Sequence, residues 1–134
     1  MISADNAHAV HPNHPEKTDV ANCVYMNEGI VIKSHAGQRY TSNGISIAVF
    51  KKICEEAHVP VQFFANRSDA VGGGTLGNVS NSHVSLMSVD IGLAQWAMHS
   101  CAETAGALDV NHLVNLMRTY YATSLNINDD QVLF

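Results

Sequence analysis

Charge is what this sequence has least of. Lysine and arginine number seven and acidic residues twelve among 134, so 14% of side chains are charged and the net charge is -5. With no basic run and no alternation of basic and aromatic residues, a nucleic-acid surface is excluded. Long apolar runs are missing too. Nothing approaches the roughly 20 consecutive apolar residues that cross a bilayer, so no membrane partner is expected. The polar first ten residues lack the positive flank and apolar centre of a secretory leader. The cysteines are three, Cys23, Cys54 and Cys101, an odd number set far apart. That argues against a disulfide framework and for free thiols in the cytoplasm. Repeats and low-complexity tracts are absent.

Hydrophobic residues make up 46%, which argues against disorder and calls for a packed interior. The length suits one domain. A surface this poor in charge implies that part of it is normally covered by more protein.

Met1 to Ala4 reads as the last residues of a strand, followed to residue 22 by an irregular loop holding Pro12 and Pro15. GIVIKS, 29–34, and VQFFA, 61–65, are β-branched or aromatic runs that predict strands. Between them, Ile45, Ala48, Val49, Ile53 and Ala57 recur at helical spacing, with Ser42 or Asn43 as cap. Residues 84–98 predict a strand, a turn and a short buried segment. Asp109 then caps a final helix with a stripe of Leu113, Leu116, Met117, Tyr120 and Tyr121, and residues 126–134 form a flexible tail. Strands alternating with helices predict an α/β layered domain.

Several segments carry chemistry. His8, His11 and His14 are spaced by three, but Pro12 and Pro15 break the helix that would align them. A closed zinc site needs a fourth ligand and an ordered turn, so His11 and His14 read as loop residues. Asp5 lies just past a strand end, where open α/β sheets place binding groups, and is a candidate ligand. His99 ends an apolar run; if its segment is helical, Glu103, four positions on, would hold the second imidazole nitrogen. Lys33, Arg39 and Tyr40 offer donors to an anion or a developing oxyanion, or simply make an ordinary turn. The stretch 66–78 carries no phosphate-loop pattern, and Arg67 and Asp69 are suited to pair with each other.

Taken in order, SADNAHAVHPNHPEK (3–17), GIVIKSHAGQRYTSNG (29–44), PVQFFANRSDAVGGGTLGN (60–78) and SVDIGLAQWAMHSCAETAG (88–106) resemble the C-terminal part of the aspartyl aminopeptidase family. Its members are dinuclear zinc exopeptidases. The resemblance implies the C-terminal part of a three-layer α/β/α sandwich with a mixed sheet, spanning 1–134. It also implies an enzyme that removes an N-terminal residue, acidic in the best-known branch, from a peptide substrate, and that assembles as a homo-oligomer, a dodecamer. By the same resemblance Asp5 and His99 each hold one of two zinc ions, for which other divalent ions could substitute. Lys33 and His8 line the substrate pocket, and Tyr40 contacts the scissile carbonyl or the oxyanion. Arg67, Asp69, Thr75 and Glu103 support the site. One departure stands in the glycine loop, where Gly74 replaces a hydroxyl residue and Thr75 keeps a donor.

The family's first His ligand, bridging Asp and adjacent Glu pair would all lie upstream of Met1. The isolated chain is therefore expected to be inactive. An alternative is a non-catalytic remnant serving as a structural or interaction fragment. A small histidine metal module is a third reading, in which binding would depend on His8, His11 and His14.

Overall fold

The computed structural model describes residues 1–128 and 131–133, with side chains through Asn126. The strands and α-helices in chain order are β1 (Ile2–Ala4), β2 (Ala7–His8), β3 (Ile30–Lys33), α1 (Gly44–Glu56), β4 (Val61–Phe64), α2 (Leu76–Asn81), β5 (Val89–Gly92), β6 (Ala94–Trp96), β7 (Thr104–Ala105), α3 (Ala107–Ala122), β8 (Asn126–Asn128) and β9 (Gln131–Leu133), with one 3-10 turn at Pro15–Lys17 in the loop after β2. The main sheet runs β1-β5-β3-β4. β1 is parallel to β5 and β3 to β4, whereas β3 meets β5 antiparallel, so the sheet is mixed as expected. A smaller sheet, β2-β6-β7, continues from the ends of β1 and β5.

Strand alternation divides this sheet into two unlike faces. Ile30 and Ile32 of β3, with Val89 and Ile91 of β5, point into a cluster with Val49, Phe50, Ile53 and Leu116 from α1 and α3. Both long helices lie on that side. The residues between them, Val31 and Lys33, Asp90 and Gly92, belong to the other face. There Val31 packs with Ala7, Val24, Tyr40, Phe64 and Ala94 under the loop that follows β2.

The expected face is shifted on α1 and holds on α3 except at Tyr121. In α1 the buried positions are Ser46, Val49, Phe50, Ile53 and Cys54; Ile45 is 57% exposed and Ala48 is also exposed. Phe50 brings more apolar area than either, so the face that buries it prevails. Asn43 is the cap, its Oδ1 accepting from the Ser46 amide while the Ser46 hydroxyl accepts from the Asn43 amide. In α3, Leu116 is fully buried and Leu113 and Tyr120 pack beside it, but Tyr121 is 79% exposed.

Asp109 does not cap α3. Gly106 occupies that position, and the buried Asp109 carboxylate accepts from the Asn27 and Gly29 amides at 2.6 and 2.9 Å. Asn27 Oδ1 in turn accepts from the Leu108 amide at the start of the helix. A contact from a distant turn thus replaces the local cap.

The short helix α2 falls in a stretch that read as a polar glycine loop; it buries only Gly77. In the segment expected to be a flexible tail, Asn126–Asn128 pairs antiparallel with Gln131–Leu133. Residues 129, 130 and 134 of that segment lie outside the described residues.

Candidate active site

The cleft lies on the polar side of the sheet. It holds about 520 Å³ and is lined by Asp5, His8, Lys33, Tyr40, Thr75 and His99, among others. A smaller apolar hollow of about 80 Å³ beside α1 and the end of β1 holds no histidine or carboxylate. The chemistry goes with the larger, polar cleft.

Asp5 leaves the end of β1 with its amide bonded to the Ile91 carbonyl at 2.9 Å. Its carbonyl passes so close to β5 that a Cβ on Gly92 would stand 2.1 Å away. Glycine is therefore required at 92 for the strand to approach Asp5. The Asp5 side chain is 51% exposed toward the cleft, so its oxygens remain available.

Lys33 ends β3 and is only 2% exposed. Its Nζ lies 3.6 Å from Asp5 Oδ2 and donates to the Asn6 carbonyl at 3.3 Å. Burial lowers its pKa, opposed by the nearby Asp5 and Asp90 carboxylates. The ammonium also stands 5.1 Å from the centre of the Tyr40 ring, within cation–π range. Tyr40 is 7% exposed; burial raises its pKa and keeps it a hydroxyl donor. Asn66 Nδ2 donates to the Tyr40 oxygen at 3.4 Å, and the His35 ring meets Tyr40 edge-on.

His8, on β2, has its pKa lowered by partial enclosure and then by His99 and Lys33, which favours the neutral ring. His99 is exposed and has a positive φ of 67°, an uncommon backbone state for a non-glycine residue. Glu103 does not hold its imidazole. Residues 98–103 are not helical, and the Glu103 carboxylate accepts from the His99 backbone amide instead, steadying the turn that presents the ring.

The supporting residues divide. Arg67 pairs with Asp69 through two nitrogens, as expected, and also donates to the Glu16 carbonyl. The Thr75 hydroxyl is buried with no hydrogen-bond partner. A Cβ on Gly74 would meet nothing within 4 Å, so sterics do not demand glycine there. His11 and His14 belong to the loop: His11 Nδ1 accepts from the Asn13 amide, and His14 faces Glu16 at 3.2 Å. Asn66 and Asp90 were not singled out from the sequence. For Asp90 a signal existed, because a carboxylate inside an apolar strand such as VDIG must find buried donors.

Asp5, His8 and His99 present the oxygen and nitrogen donors that suit zinc. Among the described residues, however, no three His, Cys, Asp or Glu side chains are grouped to hold a metal ion. The donors fit zinc in kind, as part of a larger ligand set.

Residues 1–121 match the family model described as aminopeptidase I zinc metalloprotease (M18). A protein named probable M18 family aminopeptidase 2, from Pseudomonas aeruginosa, is 44% identical over 124 residues, covering 92% of this chain and 29% of its own length. Among solved structures, one titled as the complex of Ape4 and Nbr1 superposes with a TM-score of 0.88 at 38% identity, over 90% of this chain and 23% of that one. Another, the S. cerevisiae mApe1 dodecamer, gives 0.75 at 25% identity, over 90% and 26% respectively. The chain thus spans about 29% of the length of the curated relatives it matches.

Proposed function

Because the chain belongs to the aminopeptidase I zinc metalloprotease (M18) family, we propose that it forms one wall of a zinc aminopeptidase site. The carrying observation is that Asp5, His8, Lys33, Tyr40 and His99, drawn from three separate segments, line one cleft. In this reading Asp5 and His99 each hold one of two zinc ions. Zinc, when bound, supplies Lewis-acid polarisation of the scissile carbonyl.

The chain's own side chains do the rest of what this wall can do. Lys33 spends two donor directions on Asp5 and the Asn6 carbonyl, which leaves one for substrate. A buried ammonium with a free N–H suits a carboxylate, and that supports specificity for an acidic N-terminal residue. Tyr40 keeps its proton and accepts from Asn66, so its own O–H is free to meet the carbonyl oxygen as negative charge develops. His8, neutral and beside Lys33, lines the substrate pocket. Arg67 and Asp69 brace the rim, and Glu103 braces the His99 turn.

In this reading the remaining metal ligands come from outside these residues, and the chain alone does not turn over substrate. Exposed thiols at Cys23 and Cys101 suit a cytoplasmic setting. Exposed Val110, Val114 and Tyr121 on α3 suit self-association. The test is hydrolysis of glutamyl and aspartyl peptides with zinc added. The isolated chain should release nothing, whereas the chain joined to the upstream part of a longer M18 relative should release the N-terminal acidic residue. Turnover by the isolated chain would overturn the reading, and an inactive joined protein would favour the remnant.

A further inference from the structure

On the cleft side of the sheet a second carboxylate, Asp90, is fully enclosed within β5. Burying a charge there is costly unless it is well bonded. Its Oδ2 accepts from the Thr41 amide at 2.6 Å and from the Thr41 hydroxyl at 2.9 Å. Its own amide donates to the Ser42 hydroxyl at 2.9 Å. All three bonds end on the two residues that follow Tyr40.

Asp90 also meets the other walls. It is the register partner of Ser3 on β1, two residues before Asp5. The Ser3 hydroxyl accepts from the Gly77 amide at 3.0 Å. A Cβ on Gly77 would stand 3.0 Å from both Asp90 oxygens and 2.8 Å from the Thr41 hydroxyl, so α2 closes against the carboxylate only with glycine there. One buried group therefore joins the segments that carry Asp5, Tyr40 and Thr75. Its second oxygen, Oδ1, has no partner. An apolar side chain of the same shape would leave the Thr41 amide and hydroxyl without their acceptor, so the carboxylate is matched to the donors at Thr41.

We infer that Asp90 is a positioning residue, whose carboxylate holds the backbone at Thr41 and through it sets where the Tyr40 hydroxyl stands in the cleft. It touches no substrate and acts through Tyr40. The inference rests on the reading of Tyr40 as the carbonyl-facing donor, but the positioning itself can be measured without turnover.

Two variants separate geometry from space-filling. Asp90→Asn keeps one acceptor for the Thr41 amide, and Asp90→Leu fills the space with none. In the purified chain, amide hydrogen exchange at Thr41 should be slow and should speed up about tenfold in Asp90→Asn and more in Asp90→Leu, the range expected when a charge-assisted bond is weakened or removed. The Tyr40 ring resonances should shift in the same order. In the joined, zinc-loaded protein, kcat for a glutamyl peptide should fall about tenfold in Asp90→Asn while KM stays within about twofold.

Free exchange at Thr41 in the wild-type chain would overturn the inference, and this holds even if both variants fail to fold. Unchanged Thr41 exchange and Tyr40 resonances in both variants would also overturn it, as would rescue by leucine. An inactive wild-type joined protein would count against the proposed function alone, and the exchange data would still decide the role of Asp90.

Discussion

The two faces of the main sheet are built from the same strands and differ in almost everything else. On the helix side, β3 and β5 contribute Ile30, Ile32, Val89 and Ile91 to an apolar cluster sealed by α1 and α3. On the other side the intervening residues include Lys33 and Asp90, both nearly or wholly enclosed, and Gly92, which lets Asp5 approach. One face is consistent with folding stability alone. The other leaves Asp90 Oδ1 and the Thr75 hydroxyl unbonded and crowds a buried lysine beside a tyrosine. Expensive features gathered on one face mark it as the face with a task.

The comparison breaks if stability and chemistry are not separable by face. The largest effect expected is on the helix side: Phe50→Ala should cost about 3–5 kcal/mol in denaturant unfolding, because Phe50 is 2% exposed and its loss leaves a cavity. The cleft side should show the opposite balance. Lys33→Met in the joined protein should lower kcat/KM for a glutamyl peptide about 100-fold, in the range of losing a charged contact to substrate, yet leave the unfolding midpoint unchanged or raised. The midpoint holds because the half-exposed Asp5 can turn to water once its partner is gone.

Smaller effects sharpen the division. Asn43→Ala removes one half of the α1 capping box and should cost about 1 kcal/mol, read as a midpoint shift. Thiol labelling should report the helix side without perturbing it. Burial pushes the Cys54 thiol up to about 12, while Cys23 and Cys101 are exposed. At pH 8 iodoacetamide should modify Cys23 and Cys101 first and reach Cys54 only as α1 opens; equal rates at all three would show that the helix layer is loose. Arg67→Ala, on the exposed rim, should leave the unfolding midpoint where it was.

Much of this architecture was legible in the residues. The β-branched runs at 30–33 and 61–64 are strands, and the apolar period of 42–57 is a helix capped at Asn43. Local signals sufficed where the local partner was the real one. They failed where a distant contact took over: Asp109 looks like a cap but bonds the turn at Asn27 and Gly29. They failed also where two apolar faces competed, as on α1, where the bulk of Phe50 outweighed Ile45. In the cleft, the motif residues Asp5, Lys33, Tyr40 and His99 fall together on one wall. For Asp90 the apolar strand around it signals burial, but its partners, Thr41 and Ser42, lie 49 and 48 positions away, and no spacing rule names them.

The most direct test of the cleft as one wall of a zinc aminopeptidase site uses the chain joined to the upstream part of a longer M18 relative. Release of N-terminal glutamate is measured for the wild type, Asp5→Ala and His99→Ala, with bound zinc assayed in each. The expected result is release by the wild type, and in each variant a loss of at least about 100-fold together with a lower zinc content. Full zinc content and undiminished release in both variants would contradict the account.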